Sequence, residues 1–446
     1  MNLSDKTCLL FDRGIFCSWS EKLSEIFGRT FLYVPYKSQF PTSTSTRIGY
    51  GLKNVERICG LDPDNPRDFW DVVDEEAIDL FLFLDTGDAD IQAQLRRMGR
   101  RVWGSGRADD LELFRADTKR LLEKIGLPQQ PWEEVVGVDA LRKSLYEKKN
   151  CVWVKISGNR GDSETFEYDP DDPESTETEL KGLEYRLGTV MKEMRFTVED
   201  EIYPAVEIGY DGISVDGEYP PESLLGIEKK DEAYFGAVVG YDDLPEQVRE
   251  VNDKLAPILR KYECRNFFST EIRLPEDLTP YVVDLTMRAG SPPSEVYQEA
   301  VENWGEVFWY GAEGIIVPLK FKAKYSCLAI IHCDYAATTA QTVRFPEEIA
   351  PFIKLKNYHI VDGLREVLPQ PVPLKEIGSV VAISDDPLEA IRLVQERSKL
   401  IKPGDCIAKV DMLPKAIAEF RKGEEFGLDF GGLQLPDETE LVKAIA

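Results

Sequence analysis

The strongest constraint on this chain is the way short apolar runs alternate with helical spacing at its start. Residues 6–12 (KTCLLFD) form an apolar run ending in Asp-Arg-Gly, residues 17–27 show helical spacing, and Phe31 to Val34 are apolar again. Residues 79–85 (DLFLFLD) make a stronger buried strand, followed by the turn Thr86-Gly87-Asp88, an amphipathic helix to Arg97 and a short strand from Arg101 to Trp103. That alternation implies a small parallel sheet, with strand ends near residues 12–15 and 85–88 available as a binding crevice. Gly104-Ser105-Gly106 then punctuates the chain.

Beyond that point the pattern changes. Asp109 to Ile125 reads as a helix stopped by Gly126-Leu127-Pro128, and a second helix near 138–148 precedes the strand CVWVKIS at 151–157. The segment 169–178 (DPDDPESTET) is acidic, contains proline and is almost free of apolar residues, which predicts an exposed loop. Strands are expected near 195–200, 205–210 and 235–240, a helix over 246–262, and paired strands at 267–274 and 280–286. Antiparallel signals after helices indicate an α+β lobe rather than a continued parallel sheet. From about 320 the pattern restarts, with strands at 326–333 and 379–384 and a helix at 387–401, predicting a third, smaller domain.

Composition limits the chemistry available. The 446 residues are 43% hydrophobic, enough for more than one core, and no run approaches the roughly 18 apolar residues that spanning a bilayer requires. The opening segment lacks a basic stretch before its apolar run, so a soluble cytoplasmic protein without membrane attachment is expected. A net charge of −27 repels nucleic acid backbones and anionic membranes and disfavours both as partners. The eight cysteines are dispersed without a CxxC pair, so buried thiols are expected rather than disulfides or zinc ligands. With only His332 and His359 available, a catalytic scheme must rest on carboxylates, lysines, arginines and backbone amides.

Three segments carry such groups. In VKISGNRGDSETF, Lys155 ends a buried strand and Ser157, Gly158, Arg160 and Gly161 belong to a loop whose backbone N–H groups can approach phosphates closely. No GKS or GKT is present, so this is not a Walker loop. In FTVEDEIYPAVEIGYDG, the apolar positions of Val198 to Ile202 and Val206 to Ile208 are interspersed with Glu199, Asp200, Glu201 and Glu207. Such a stretch can supply an apolar slot for a nucleobase and a carboxylate for a ribose, or it can be an acidic strand edge. In FFSTEIRLPEDLTPYVVDLTMR, a polar turn makes the strands bearing Glu271 and Asp284 a hairpin. Paired carboxylates on neighbouring strands suit Mg²⁺, which takes oxygen ligands; a solvated face with ordinary salt bridges is the alternative. Thr286 and Arg288 alternate onto the face of Asp284, offering a hydroxyl and a guanidinium.

The order of these segments resembles the ATP-grasp superfamily over most of the chain. The counterparts of its motifs are Arg115 before GLP, Lys155 with Ser157 to Gly161, Glu199 to Ile202 with Glu207, and Glu271 with Asp284, Thr286 and Arg288. Within the superfamily, VWGSGRADDLELFRADTKRLLEKIGLP and SVVAISDDPLEAIRLVQERSKLI are similar to phosphoribosylamine–glycine ligase. The resemblance implies an α/β and α+β multidomain chain: a Rossmann-like domain over 1–108, an ATP-grasp domain over 109–318 and a small α+β domain over 319–446. It also implies ATP with Mg²⁺ or Mn²⁺ and small-molecule carboxylate and amine substrates joined through an acyl phosphate. Arg115, Lys155, Ser157, Gly158, Arg160, Gly161, Glu199, Asp200, Ile202 and Glu207 would hold nucleotide. Glu271, Asp284 and Thr286 would hold metal, and Lys155 and Arg288 would be catalytic. The sequence departs from the family where Arg115 replaces a lysine, with Lys119 one helical turn on, where Thr286 replaces an asparagine, and where Arg160 and Asp162 interrupt the glycine loop. A ligase for another amino acid, peptide or nucleotide metabolite, or a noncatalytic nucleotide-binding scaffold, is the alternative.

Overall fold

The parallel sheet forms because each of its strands is buried on both faces. Alternate side chains leave a strand on opposite sides, and here Cys8 and Leu10 join one core with Trp19, while Leu9 and Phe11 join another with Phe69 and Val72. The computed structural model describes residues 1–35, 47–60, 67–158, 165–369, 375–430, 433 and 435–445. Five parallel strands lie in the order Glu56–Cys59, Phe27–Val34, Leu3–Phe11, Leu80–Phe83 and Arg101–Trp103.

A second, smaller sheet is antiparallel, in the order Trp132–Val136, Arg195–Asp200, Val152–Ile156 and Thr165–Tyr168. Val152, Val154 and Ile156 face a core closed by helices Val138–Glu147 and Pro173–Leu187. The second of these helices corrects the loop expected over 169–178. Asp172 accepts a hydrogen bond from the Ser175 N–H, Pro173 occupies the first turn, and Leu180 and Leu183 are buried in the lobe's core. The acidic window ends before those apolar positions, so its composition describes only the solvent-facing start of an amphipathic helix.

The third sheet has nine strands among the described residues. Its main path runs Tyr281–Thr286, Arg265–Leu274, Val206–Val215, Glu222–Lys229, Ala233–Gly240, Tyr325–His332, Glu376–Ser384 and Ile353–Leu355. After residue 320, Tyr325–His332, Glu376–Ser384 and Ile353–Leu355 extend this sheet beyond Ala233–Gly240, while Gln341–Val343, Leu364–Val367 and Tyr358–Val361 pair as a separate three-stranded sheet. An exposed edge presents unpaired N–H and C=O groups, and Tyr325–His332 satisfies them. The strand Glu222–Lys229 was not expected from the sequence. The expected helix over 109–125 is two helices, Asp109–Leu113 and Arg115–Lys124, separated at Phe114.

All eight cysteines are free thiols, seven of them buried and Cys151 half-buried. Among the described residues no helix is long and apolar enough to cross a membrane.

Candidate active site

The small sheet and the large sheet face one another across a cleft of about 480 Å³, joined by the segment from Glu201 to Ala205. Period-two geometry sets which side chains enter it. On the small sheet Lys155 and Glu199 turn into the cleft, while Val154 and Val198 turn away into the lobe's core. On the large sheet Glu271 lies directly opposite Asp284 in the hairpin, and Glu207 lies opposite Arg273 on the neighbouring strand. The paired carboxylates thus share one face because antiparallel partners do.

Arg115 opens its helix and Lys119 follows one turn later, so both lie on the same helix face. Arg115 donates to Asp284 at 2.6 Å, and Lys119 lies 2.9 Å from the Glu199 carboxylate. Lys155 donates to the Val283 carbonyl across the cleft and sits 3.6 Å from Glu199. Glu199 also accepts from Gln130 at 2.7 Å and from the Thr197 hydroxyl at 3.2 Å. Two lysines, one arginine and two carboxylates therefore form a compact network at one end of the cleft.

The electrostatics follow from that packing. Burial alone would raise the Glu199 carboxyl, but the charges of Lys155, Lys119 and Arg115 outweigh it and hold the group below the usual carboxylate range. Asp284 behaves likewise: burial opposes its ionisation, and Arg115 and Lys155 outweigh burial. Glu271 moves the other way. The protein around the cleft, then the like charges of Glu207 and Asp284, raise its carboxyl, although its side chain remains open to water in the cleft. Burial pushes the Lys119 ammonium down from 10.5 to about 8 against the opposing pull of Glu199.

That last shift gives a prediction with a definite sign. Between about 8 and 10.5 the unfolded chain keeps the Lys119 proton more readily than the folded one. Stability should therefore gain up to about 1.4 kcal/mol per pH unit from this group as pH rises through that window, and lose it as pH falls back. Urea midpoints at several pH values, compared with Lys119→Met, check this. The variant should lack the Lys119 part of the slope, and an identical slope would show that the ammonium is not perturbed.

The cleft brings together Lys155, Glu199, Asp200, Ile202, Glu207, Glu271 and Asp284, with Arg115 reaching Asp284 from its helix. Glu199 is committed to the lysines, and Glu207 lies 3.3 Å from the Arg273 guanidinium. Ser157 donates its N–H to the Arg195 carbonyl and Gly158 to the Leu113 carbonyl, which anchors the start of the loop. Arg160 and Gly161 lie outside the described residues. Thr286 pairs with Ser269 on the Asp284 face. Arg288 lies beyond the strand end, and its side chain meets buried Glu112 at 2.8 Å. Sequence reasoning missed Gln130, Glu228, Lys229, Arg273 and Lys422, which also line the cleft. Arg273 was discoverable from its two-residue spacing after Glu271; Lys422 was not, because it comes from a distant helix.

No family model and no curated protein matches the sequence. Solved structures do match it. Phosphoribosylamine–glycine ligase from Thermotoga maritima superposes with a TM-score of 0.67 at 16% identity, over 91% of this chain and 99% of that one. The biotin carboxylase domain of 2-oxoglutarate carboxylase from Hydrogenobacter thermophilus, solved with MgADP and bicarbonate, gives 0.61 at 14% identity over 95% of each. L-amino acid ligase from Bacillus licheniformis gives 0.58 at 15% identity over 89% of this chain and 98% of that one. The chain has the ATP-grasp fold. Phosphoribosylamine–glycine ligase is among the structures it resembles along nearly its whole length.

Proposed function

We propose that this protein is an ATP-dependent ligase that joins a carboxylate to an amine through an acyl phosphate, most similar in kind to phosphoribosylamine–glycine ligase. The observation that carries the reading is the meeting of Glu271 and Asp284, opposite one another in the hairpin, with Arg115 and Lys155 in an inter-sheet cleft. In this reading residues 1–108, 109–318 and 319–446 are the three functional divisions of the chain.

The donor set fits Mg²⁺. Glu271 and Asp284 are hard oxygen donors whose mutual repulsion a divalent cation would relieve, with Thr286 next along the same face. Mg²⁺ held there would neutralise charge on the nucleotide's phosphates. Lys155 and Arg115 would bind phosphate oxygens, and Ile202 with Glu207 would receive the nucleoside. The substrate carboxylate oxygen attacks the γ-phosphorus as the bond to ADP breaks. The amine nitrogen then attacks the acyl carbon, phosphate leaves, and the nitrogen loses its proton. Arg288, whose neighbour Ala289 donates its N–H to the Leu84 carbonyl just after the parallel strand Leu80–Phe83, would stabilise charge on the acyl group.

The test is release of ADP from Mg-ATP in the presence of paired carboxylic acids and amines. Release that needs both an acid and an amine supports the ligase. Tight Mg-ATP binding with no acid-dependent release across such a panel would favour the noncatalytic scaffold.

A further inference from the structure

The cleft has a contributor from far along the chain. Helix Leu413–Glu425 packs on the large sheet, with Leu413, Ala416, Ile417 and Phe420 fully buried and Phe420 against Phe235, ring centroids 6.0 Å apart. Its last turn is pressed close to its surroundings: a Cβ at Gly423 would lie 2.6 Å from the Phe430 ring. The residue before that glycine, Lys422, is therefore held at the cleft rim, where its ammonium donates to the Ala205 carbonyl at 2.7 Å. Glu419, one turn earlier, lines the same rim, 3.9 Å from the Lys422 ammonium.

Ala205 belongs to the segment that joins the two sheets, between strands Arg195–Asp200 and Val206–Val215. Among the described residues no hydrogen bond engages the N–H groups of Ile202, Tyr203 or Ala205. The groups that a planar base could read are therefore left open, and the carbonyl at the end of the segment is fixed by a charged side chain from another part of the molecule. A hydrogen bond from an ammonium is stronger than a neutral one and resists displacement when the lobes move.

We infer that Lys422 is a positioning residue for recognition of the nucleobase: by holding the Ala205 carbonyl it sets where the open N–H groups of the joining segment lie. This rests on the nucleotide reading of the cleft. It makes helix Leu413–Glu425 part of base selection while leaving the phosphate end to Arg115 and Lys155.

The experiment is calorimetric titration of full-length protein, Lys422→Met and Lys422→Arg with Mg-ATP, Mg-GTP and magnesium tripolyphosphate. Lys422→Met is expected to weaken Mg-ATP by about tenfold, the size of one hydrogen bond from a charged group, and to narrow the preference for ATP over GTP. Tripolyphosphate affinity should not change, and Lys422→Arg should recover most of the loss. Equal weakening of ATP and tripolyphosphate would overturn the inference, because Lys422 would then act as a general charge or through overall folding. Unchanged ATP affinity in Lys422→Met would overturn it as well. Wild-type protein that binds neither ligand would instead remove the nucleotide reading, and the inference with it.

Discussion

Replacing Glu271 and Asp284 together with alanine is expected to abolish the thermal stabilisation that Mg-ATP gives the wild-type protein. A ligand present at about 100 times its dissociation constant adds about 2.7 kcal/mol to the stability of the state it binds, and that whole increment should vanish. The reason is local. Without the two carboxylates, the polyphosphate meets Arg115 and Lys155 but no site for the divalent cation that would balance its charge. The single substitution Glu271→Gln adds a sign that a nonspecific loss cannot imitate. Its carboxyl is raised by the surrounding cleft and by Glu207 and Asp284, so its ionised form disfavours the ligand-free fold as pH rises past its unfolded range. Glu271→Gln should therefore be more stable than wild type at pH 8 without ligand, and should gain less than wild type from Mg-ATP. Scanning calorimetry with and without the nucleotide measures both quantities. A double variant that still gains the full increment would sink the metal role of the hairpin.

The second large effect concerns the ion cluster at one end of the cleft. Glu199→Ala leaves Lys119 and Lys155 facing one another with no anion between them. The Glu199 and Lys119 side chains are only 2% and 5% exposed, so water cannot replace the lost partner. Removing one member of such a pair costs about 3–5 kcal/mol, whereas a surface pair would cost under about 1 kcal/mol. Glu199→Gln should lose less, because the amide can still accept from Gln130 or Thr197. Lys119→Met combined with Glu199→Leu should recover a large part of the loss, since it removes the buried charge and its partner together. Denaturant midpoints for the four proteins decide the matter. A loss of under about 1 kcal/mol in Glu199→Ala would mean that the cluster is hydrated in solution.

Much of the architecture was legible before any coordinates. The continuous apolar runs at 6–12 and 79–85 had to be buried on two faces, and they are central strands of the parallel sheet. The hairpin was legible because a polar turn separates two alternating strands, and its register follows from antiparallel pairing. What misled was composition read through too short a window. DPDDPESTET looks like loop because its buried leucines come only at 180 and 183. The strand Glu222–Lys229 was missed because its apolar residues are consecutive rather than alternating, which leaves strand and helix hard to distinguish.

The sequence by itself determined the inventory and order of chemical groups. It set the basic residues before the glycine loop, the acidic joining segment and the carboxylate pair, and it determined local periodicity, which aims neighbouring side chains at a common face. Only the tertiary structure decided the partners. Asp284 meets Arg115 from a helix 169 residues earlier, Glu199 sits between two lysines rather than in open cleft, and Lys422 reaches a carbonyl 217 residues before it. The physical reason is that periodicity sets a side chain's direction within its own element, whereas the charge it finally meets depends on how separate elements pack. That packing is governed by burial of apolar faces elsewhere, such as Phe420 on Phe235, which says nothing in the sequence about the lysine two residues on.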